Sequence, residues 1–134
     1  MIRKMNKILI AIGSNHEAER RMDEVRVLLQ DSFGDIVFSP SIQTKDINME
    51  GPDFINMVAV FHTSLSYQQV NTLLKKLQST CGNSEEARSR HEVAMDLDIL
   101  AVNNRLYHLN DWKRPYIQQL VNTILTNSDN SDNS

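Results

Sequence analysis

The 134-residue chain has one cysteine, Cys81, so no disulfide can close within it. That usage suits a reducing compartment, and the chain reads as cytoplasmic. No long apolar run is present. Residues 8–12 (Ile-Leu-Ile-Ala-Ile) stop at Gly13-Ser14-Asn15, too short for a signal-peptide core and far too short to span a membrane. There is no excess of basic residues: 14 Lys and Arg face 17 Asp and Glu, for a net charge of −3. Nucleic-acid binding by bulk electrostatics is thereby excluded. No Gly-rich, Lys-containing phosphate loop occurs, so any nucleotide site is of another kind. Internal repeats and interdomain linkers are absent too. The expectation is one domain over residues 1–126, acting as a monomer. A polar, disordered tail of Asn, Ser and Asp alone is expected over residues 127–134.

What is present alternates between two periods. Residues 7–12 read as a buried strand ended by a glycine turn. Ser14 or Asn15 is placed to cap a helix whose inner face is Met22, Val25, Leu28, Leu29 and Phe33, with Gly34 as its stop. Residues 36–44 form a second strand, broken by Pro40. Residues 54–63 are the strongest strand. Ser66 caps a second helix built on Val70, Leu73, Leu74 and Leu77. Residues 82–92 are charged and read as a loop. A fourth strand spans residues 95–102, Asn103-Asn104 turns the chain, and residues 115–125 close with a helix. The order β-α-β-β-α-β predicts an α+β, ferredoxin-like antiparallel sheet with helices on one face, plus a C-terminal helix.

Chemistry is concentrated in Met95-Asp96-Leu97-Asp98-Ile99-Leu100. Residues i and i+2 of a strand share a face, so Asp96 and Asp98 project side by side while Leu97 and Ile99 face away. Two adjacent carboxylates cost free energy unless a cation neutralises them or one takes a proton. A hard divalent cation, held by both carboxylates and by phosphate oxygens, answers that need. A half-buried strand with a polar face is the alternative.

Three blocks together resemble the 6-hydroxymethyl-7,8-dihydropterin pyrophosphokinases of folate biosynthesis. They are Ala11-Ile12-Gly13-Ser14-Asn15, then Gly51-Pro52-Asp53-Phe54-Ile55-Asn56, then Arg90-His91 followed by Asp96-Leu97-Asp98-Ile99-Leu100. The resemblance implies transfer of pyrophosphate from ATP to the pterin hydroxymethyl oxygen, with AMP as the second product. It implies two Mg²⁺ ions on Asp96 and Asp98, and a catalytic role for Arg90. The pterin would lie between Phe54 and Tyr116, bonded by Asn56 and touched by Thr44. The nucleotide would meet His91, Ile99, His108 and Arg114, the last two by the family's His-x₅-Arg-x-aromatic spacing. Small-molecule substrates are the implied partners, with neither nucleic acid nor membrane. A flat heterocycle does gain from rings on both faces, and its amide-like edge from an asparagine.

The chain departs from the family in the segment that closes on ATP. Arginines normally found there are replaced by Asn83 and Glu85, and Pro-Arg-Thr is lost beside Val93-Ala94. An acid at the end of the second helix becomes Gln78. Each lost charge-assisted phosphate contact is worth about 1.5–3 kcal/mol. Two readings follow: an ATP-dependent pyrophosphokinase with a degenerate loop, or a non-catalytic pterin- or nucleotide-binding relative.

Overall fold

A computed structural model describes residues 4–46, 50–82 and 85–132. The first half runs β1 (Asn6–Ser14), α1 (Ala18–Phe33), β2 (Val37–Phe38), β3 (Ile42–Thr44) and β4 (Phe54–Thr63). The second half runs α2 (Tyr67–Thr80), α3 (Glu85–Ser89), β5 (Asp96–Val102), β6 (Arg105–Leu106), α4 (Leu109–Trp112) and α5 (Pro115–Asp132). All strands join one antiparallel sheet in the order β2-β4-β1-β5-β6, with β3 also paired to β4. With β2 and β3 taken as halves of one strand, this is the expected α+β βαββαβ arrangement.

β1 is central and buries both faces. Its Ile8, Ile10 and Ile12 join Met57, Phe61, Leu97 and Ile99 beneath α1 and α2. Its Leu9 joins Val58, Val60 and Leu100 beneath Ile117, Leu120, Val121 and Ile124 of α5. The C-terminal helix thus covers the face that α1 and α2 leave open. Each fully buried side chain of this size stabilises the fold by about 1.5–3 kcal/mol, so two-sided burial fixes the β1 register firmly. Among the described residues no helix is long and apolar enough to cross a membrane.

Several boundaries differ from the sequence reading, each for a local reason. Neither Ser14 nor Asn15 caps α1. The helix starts at Ala18, beyond their reach, after Glu17 in a left-handed conformation with φ 49° and no side-chain cap. The Gly34 stop is as expected, at φ 69° with its N–H donating to the Gln30 carbonyl. Ser66 caps α2 in a reciprocal capping box with Gln69. The charged segment 82–92 is not all loop, because Glu85 and Glu86 open a short helix whose N-terminus favours acids. Asn83 lies outside the described residues. The backbone of α5 stays helical past Leu125 to Asp132, where a disordered tail was expected. Extending a formed helix adds one hydrogen bond per residue, unlike starting one, and the packed first turns of α5 supply the start. Residues 133–134 of that tail lie outside the described residues.

Pro40 splits the second strand, and Ser39 repairs the gap. Ser39 N–H donates to the Val58 carbonyl at 2.8 Å. Its Oγ accepts from Val58 N–H at 2.9 Å and donates to the Pro40 carbonyl at 2.8 Å. A buried serine therefore replaces a ladder acceptor. Ser39→Ala should leave the Val58 N–H unsatisfied and lower unfolding free energy by about 1–3 kcal/mol. Exposed Ser41→Ala should stay within about 0.5 kcal/mol. Urea melts of both variants check this, and equal midpoints would refute the repair.

Candidate active site

The cleft opens where β1 ends, on the α5 side of the sheet. The register is the cause. Gly13 pairs with Asn56 of β4 on one side and with Asp96 of β5 on the other, and Ala11 pairs with Asp98. Directly opposed residues of antiparallel strands share a face. The floor is therefore two small residues flanked by an amide and two carboxylates. A Cβ at position 13 would lie 3.1 Å from Asn56 Oδ1 and 3.7 Å from Phe54 Cδ1, so glycine makes the space. The resulting cleft encloses about 680 Å³, its open mouth included.

Asp96, Asp98, Phe54, Asn56 and Thr44 line it, and Arg114 and Tyr116 close it from the start of α5. Asn56 is only 7% exposed, yet its amide is not sealed into the core. Its Nδ2 donates to Thr44 Oγ1 at 2.7 Å, which leaves the rest of its edge toward the cleft. β3 pairing puts Thr44 across from Phe54, so the broken second strand delivers the threonine. Burial raises the Tyr116 phenol pKa, against the opposing pull of the Arg114 charge. Arg114 Nε donates to Asp111 Oδ1 at 3.3 Å.

The aspartates are crowded as their spacing predicts. Although Asp96 remains solvent-exposed at the end of β5, desolvation by the protein packed around its carboxyl, and next the charge of Asp98, push its pKa up to about 6. Lys75 of α2 opposes this shift. Its Nζ donates to Asp98 Oδ1 at 3.0 Å. His108, in a left-handed conformation at the start of α4, brings Nε2 to 3.8 Å from the same oxygen. Among the described residues no group of three or more His, Cys, Asp or Glu forms an all-protein metal cage. Two carboxylates at the edge of a cleft do fit Mg²⁺, which is commonly held by one or two carboxylates plus substrate phosphates.

Other expected residues lie elsewhere. Arg90 is exposed and does not line the cleft; Nε pairs with Glu92 and Nη1 with Glu86, at 3.3 and 3.1 Å. His91 also lies outside it, with Nε2 3.3 Å from Glu50 Oε2. The Ile99 side chain is fully buried under α1 and α2, on the face away from the cleft. Only its backbone is left for a nucleotide contact, because alternation turns it opposite to Asp98. Lys45 and Asp111 line the cleft and carry no signal in the sequence beyond their charge.

Asn15, expected as a candidate cap of α1, has its partners elsewhere. Its backbone N–H donates to the Val93 carbonyl at 3.0 Å. Its Nδ2 donates to the carbonyls of Pro52 at 3.2 Å and His91 at 2.9 Å. Gly51 meanwhile sits where any Cβ would collide with the His91 carbonyl. The asparagine thus binds the segment before β4 to the segment before β5.

A model of the 7,8-dihydro-6-hydroxymethylpterin-pyrophosphokinase family matches residues 9–126. No curated protein matches the chain.

The raised Asp96 pKa makes a signed prediction about stability. Unfolded, the carboxyl titrates near 3.8; folded, near about 6. The folded state therefore holds the extra proton between these values, and stability is lost as pH rises through that window. Asp96→Asn should raise Tm at pH 7.5 and leave it nearly unchanged at pH 3.5. Calorimetry at the two pH values decides this; equal shifts at both would mean that the carboxylate is not strained.

Proposed function

The chain belongs to the 7,8-dihydro-6-hydroxymethylpterin-pyrophosphokinase family, and from that membership we propose that it transfers pyrophosphate from ATP to a 6-hydroxymethylpterin. The observation that carries this reading is the register at Gly13. It sets the pterin-type amide of Asn56 and the metal-type carboxylate of Asp96 on either side of one small residue. Donor and acceptor substrates would meet above it, and positioning supplies most of such a transfer.

In this proposal Phe54 and Tyr116 hold the two faces of the pterin, and Asn56 with Thr44 reads its edge. Arg114 and Lys45 receive phosphate charge, and His108 stands beside Asp98 at the nucleotide side. The pterin hydroxymethyl oxygen forms a bond to the β-phosphorus of ATP. The bond from that phosphorus to the α,β-bridging oxygen breaks, its electron pair leaves with AMP, and the hydroxyl proton passes to solvent. Mg²⁺ held by Asp96 and Asp98 would neutralise charge on the phosphate oxygens and align them.

A second reading has one observation in its favour. Arg90 is held by Glu86 and Glu92 and stands outside the cleft. A chain that binds pterin but does not close on ATP would look the same.

Incubation with ATP, Mg²⁺ and 6-hydroxymethyl-7,8-dihydropterin should release AMP in equal amount to the pyrophosphorylated pterin. Asp98→Ala should abolish release and keep the circular dichroism spectrum. Asn56→Ala should weaken pterin binding roughly tenfold or more, judged by pterin fluorescence, since a buried amide contact is lost. Pterin binding without AMP selects the non-catalytic reading; neither binding nor AMP rejects both.

A further inference from the structure

We infer that the α5 face of the sheet carries a second ligand site, at the opposite end of β1 from the candidate active site. It takes a small amphipathic anion: an aliphatic chain ending in a carboxylate. The inference does not depend on the pyrophosphokinase reading.

The strand register builds the cavity. Val60 of β4, Leu9 of β1, Ala101 of β5 and Leu106 of β6 are paired in turn, so one apolar row crosses four strands. The bulge between Leu9 and Ile10 sets the depth. Ile10 pairs with Ile99, and a regular ladder would put Leu9 opposite Leu100. The bulge puts it opposite Ala101 instead, where the side chain is a single methyl. Trp112 of α4 and Leu125 of α5 wall the space, which encloses about 1050 Å³, its open mouth included. The candidate active site encloses about 680 Å³ on the same measure. The Trp112 indole N–H is already satisfied, by the Leu100 carbonyl at 3.0 Å and the Tyr107 carbonyl at 3.1 Å. The indole therefore offers the cavity apolar surface with no unmet donor.

One charge marks the rim. Strand alternation puts Lys7 on the same face as Leu9, and among the described residues it is the only charged side chain that lines the cavity. Its cross-strand neighbour in β4 is His62, not an acid. The backbone under it is fixed, since Lys7 N–H donates to Asn103 Oδ1 at 2.9 Å and Asn103 N–H donates to the Lys7 carbonyl at 2.8 Å. Asn103 Nδ2 is engaged by Asn6 Oδ1 at 3.0 Å, which leaves the Lys7 ammonium and the Asn104 amide as the polar groups at the mouth. Exposed apolar surface gathers here too. Leu106 is 48% exposed, and Leu109, one turn before Trp112 on α4, is 61% exposed. A concave apolar space with one cation at its edge fits a chain with an anionic head. The walls are mostly aliphatic, with a single ring, so they suit methylenes rather than a flat heterocycle that needs a ring on each face.

Titration of the full chain with decanoate tests this, with Trp112, the chain's one tryptophan, as the reporter. Wild type should bind one decanoate per chain, and the emission should shift to the blue as water leaves the ring. Octanoate should bind roughly tenfold more weakly, because two methylenes fewer are buried. Decylamine, with the same chain and the opposite charge, should also bind roughly tenfold more weakly. Lys7→Gln should weaken decanoate roughly fivefold and leave decanol unchanged. Leu106→Asp changes an exposed position, so the core is kept, and it should weaken decanoate roughly tenfold or more by placing an acid at the mouth. Arg114→Gln, which removes a cation from the candidate active site, should change nothing. No saturable shift up to about 1 mM decanoate would overturn the inference. So would equal affinity in wild type and Lys7→Gln, or equal affinity for decylamine. If Arg114→Gln abolished binding, the anion would sit in the candidate active site and the second site would fall. A concentration-dependent dimer in light scattering, dissociated by Leu106→Asp, would give this face to a second copy and overturn the inference as well.

Discussion

The antiparallel ladders on both sides of β1 hold Gly13 opposite Asn56 and Asp96 at once, and the cleft follows from that. A slip of one residue on either side would turn the amide or the carboxylates to the wrong face. The two apolar clusters prevent such a slip, since alternate residues of β1 are locked under α1 and α2 or under α5. The cleft-lining residues therefore need no rigidity of their own. They inherit position from a strand whose interior is entirely apolar. The bulge between Leu9 and Ile10 shifts the β1–β5 register beyond the aspartates, so it leaves their end of the ladder regular.

Charge is arranged unevenly around this floor. Negative groups (Asp96, Asp98 and Asp111) come from the sheet and from α4. Positive groups come from α2, from Lys45 after β3 and from Arg114 at the start of α5. Among the described residues the segment before β5 supplies none to the cleft, and its Arg90 is paired instead with Glu86 and Glu92. An electrostatic site built from helices is preorganised, whereas one that closes by a segment must first order it.

The βαββαβ order was readable because apolar period and turn residues agree along most of the chain, and the aspartate pair was readable because strand alternation leaves no choice of face. Phe54, Asn56 and Tyr116 converge because their strands and helix were placed correctly. What was not readable depends on contacts distant in sequence. Ser39 looks like any turn serine until Val58 arrives 19 residues later. Asn15 has a capping composition, but its side chain finds His91 across 76 residues. Lys75 looks like a solvated helix residue, and only the path of α2 along the open edge of β5 gives it, and Gln78 beside it, Leu97 as a partner. Ile99 entered the nucleotide set by resemblance, while the same alternation that paired the aspartates sends its side chain into the core.

The Asn15 junction has a mechanical meaning. Asn15 ties the Pro52 and His91 carbonyls together through one amide, and Gly51 lets the two backbones approach closer than any side chain would permit. The segment leading to Phe54 and the segment leading to Asp96 therefore behave as one lever. Neither can swing outward alone without breaking the shared bonds, so local opening there is a single cooperative event. Displacement on the Phe54 side is therefore coupled to the Asp96 side through the Asn15 amide, and the two halves of the cleft respond to load as a single part.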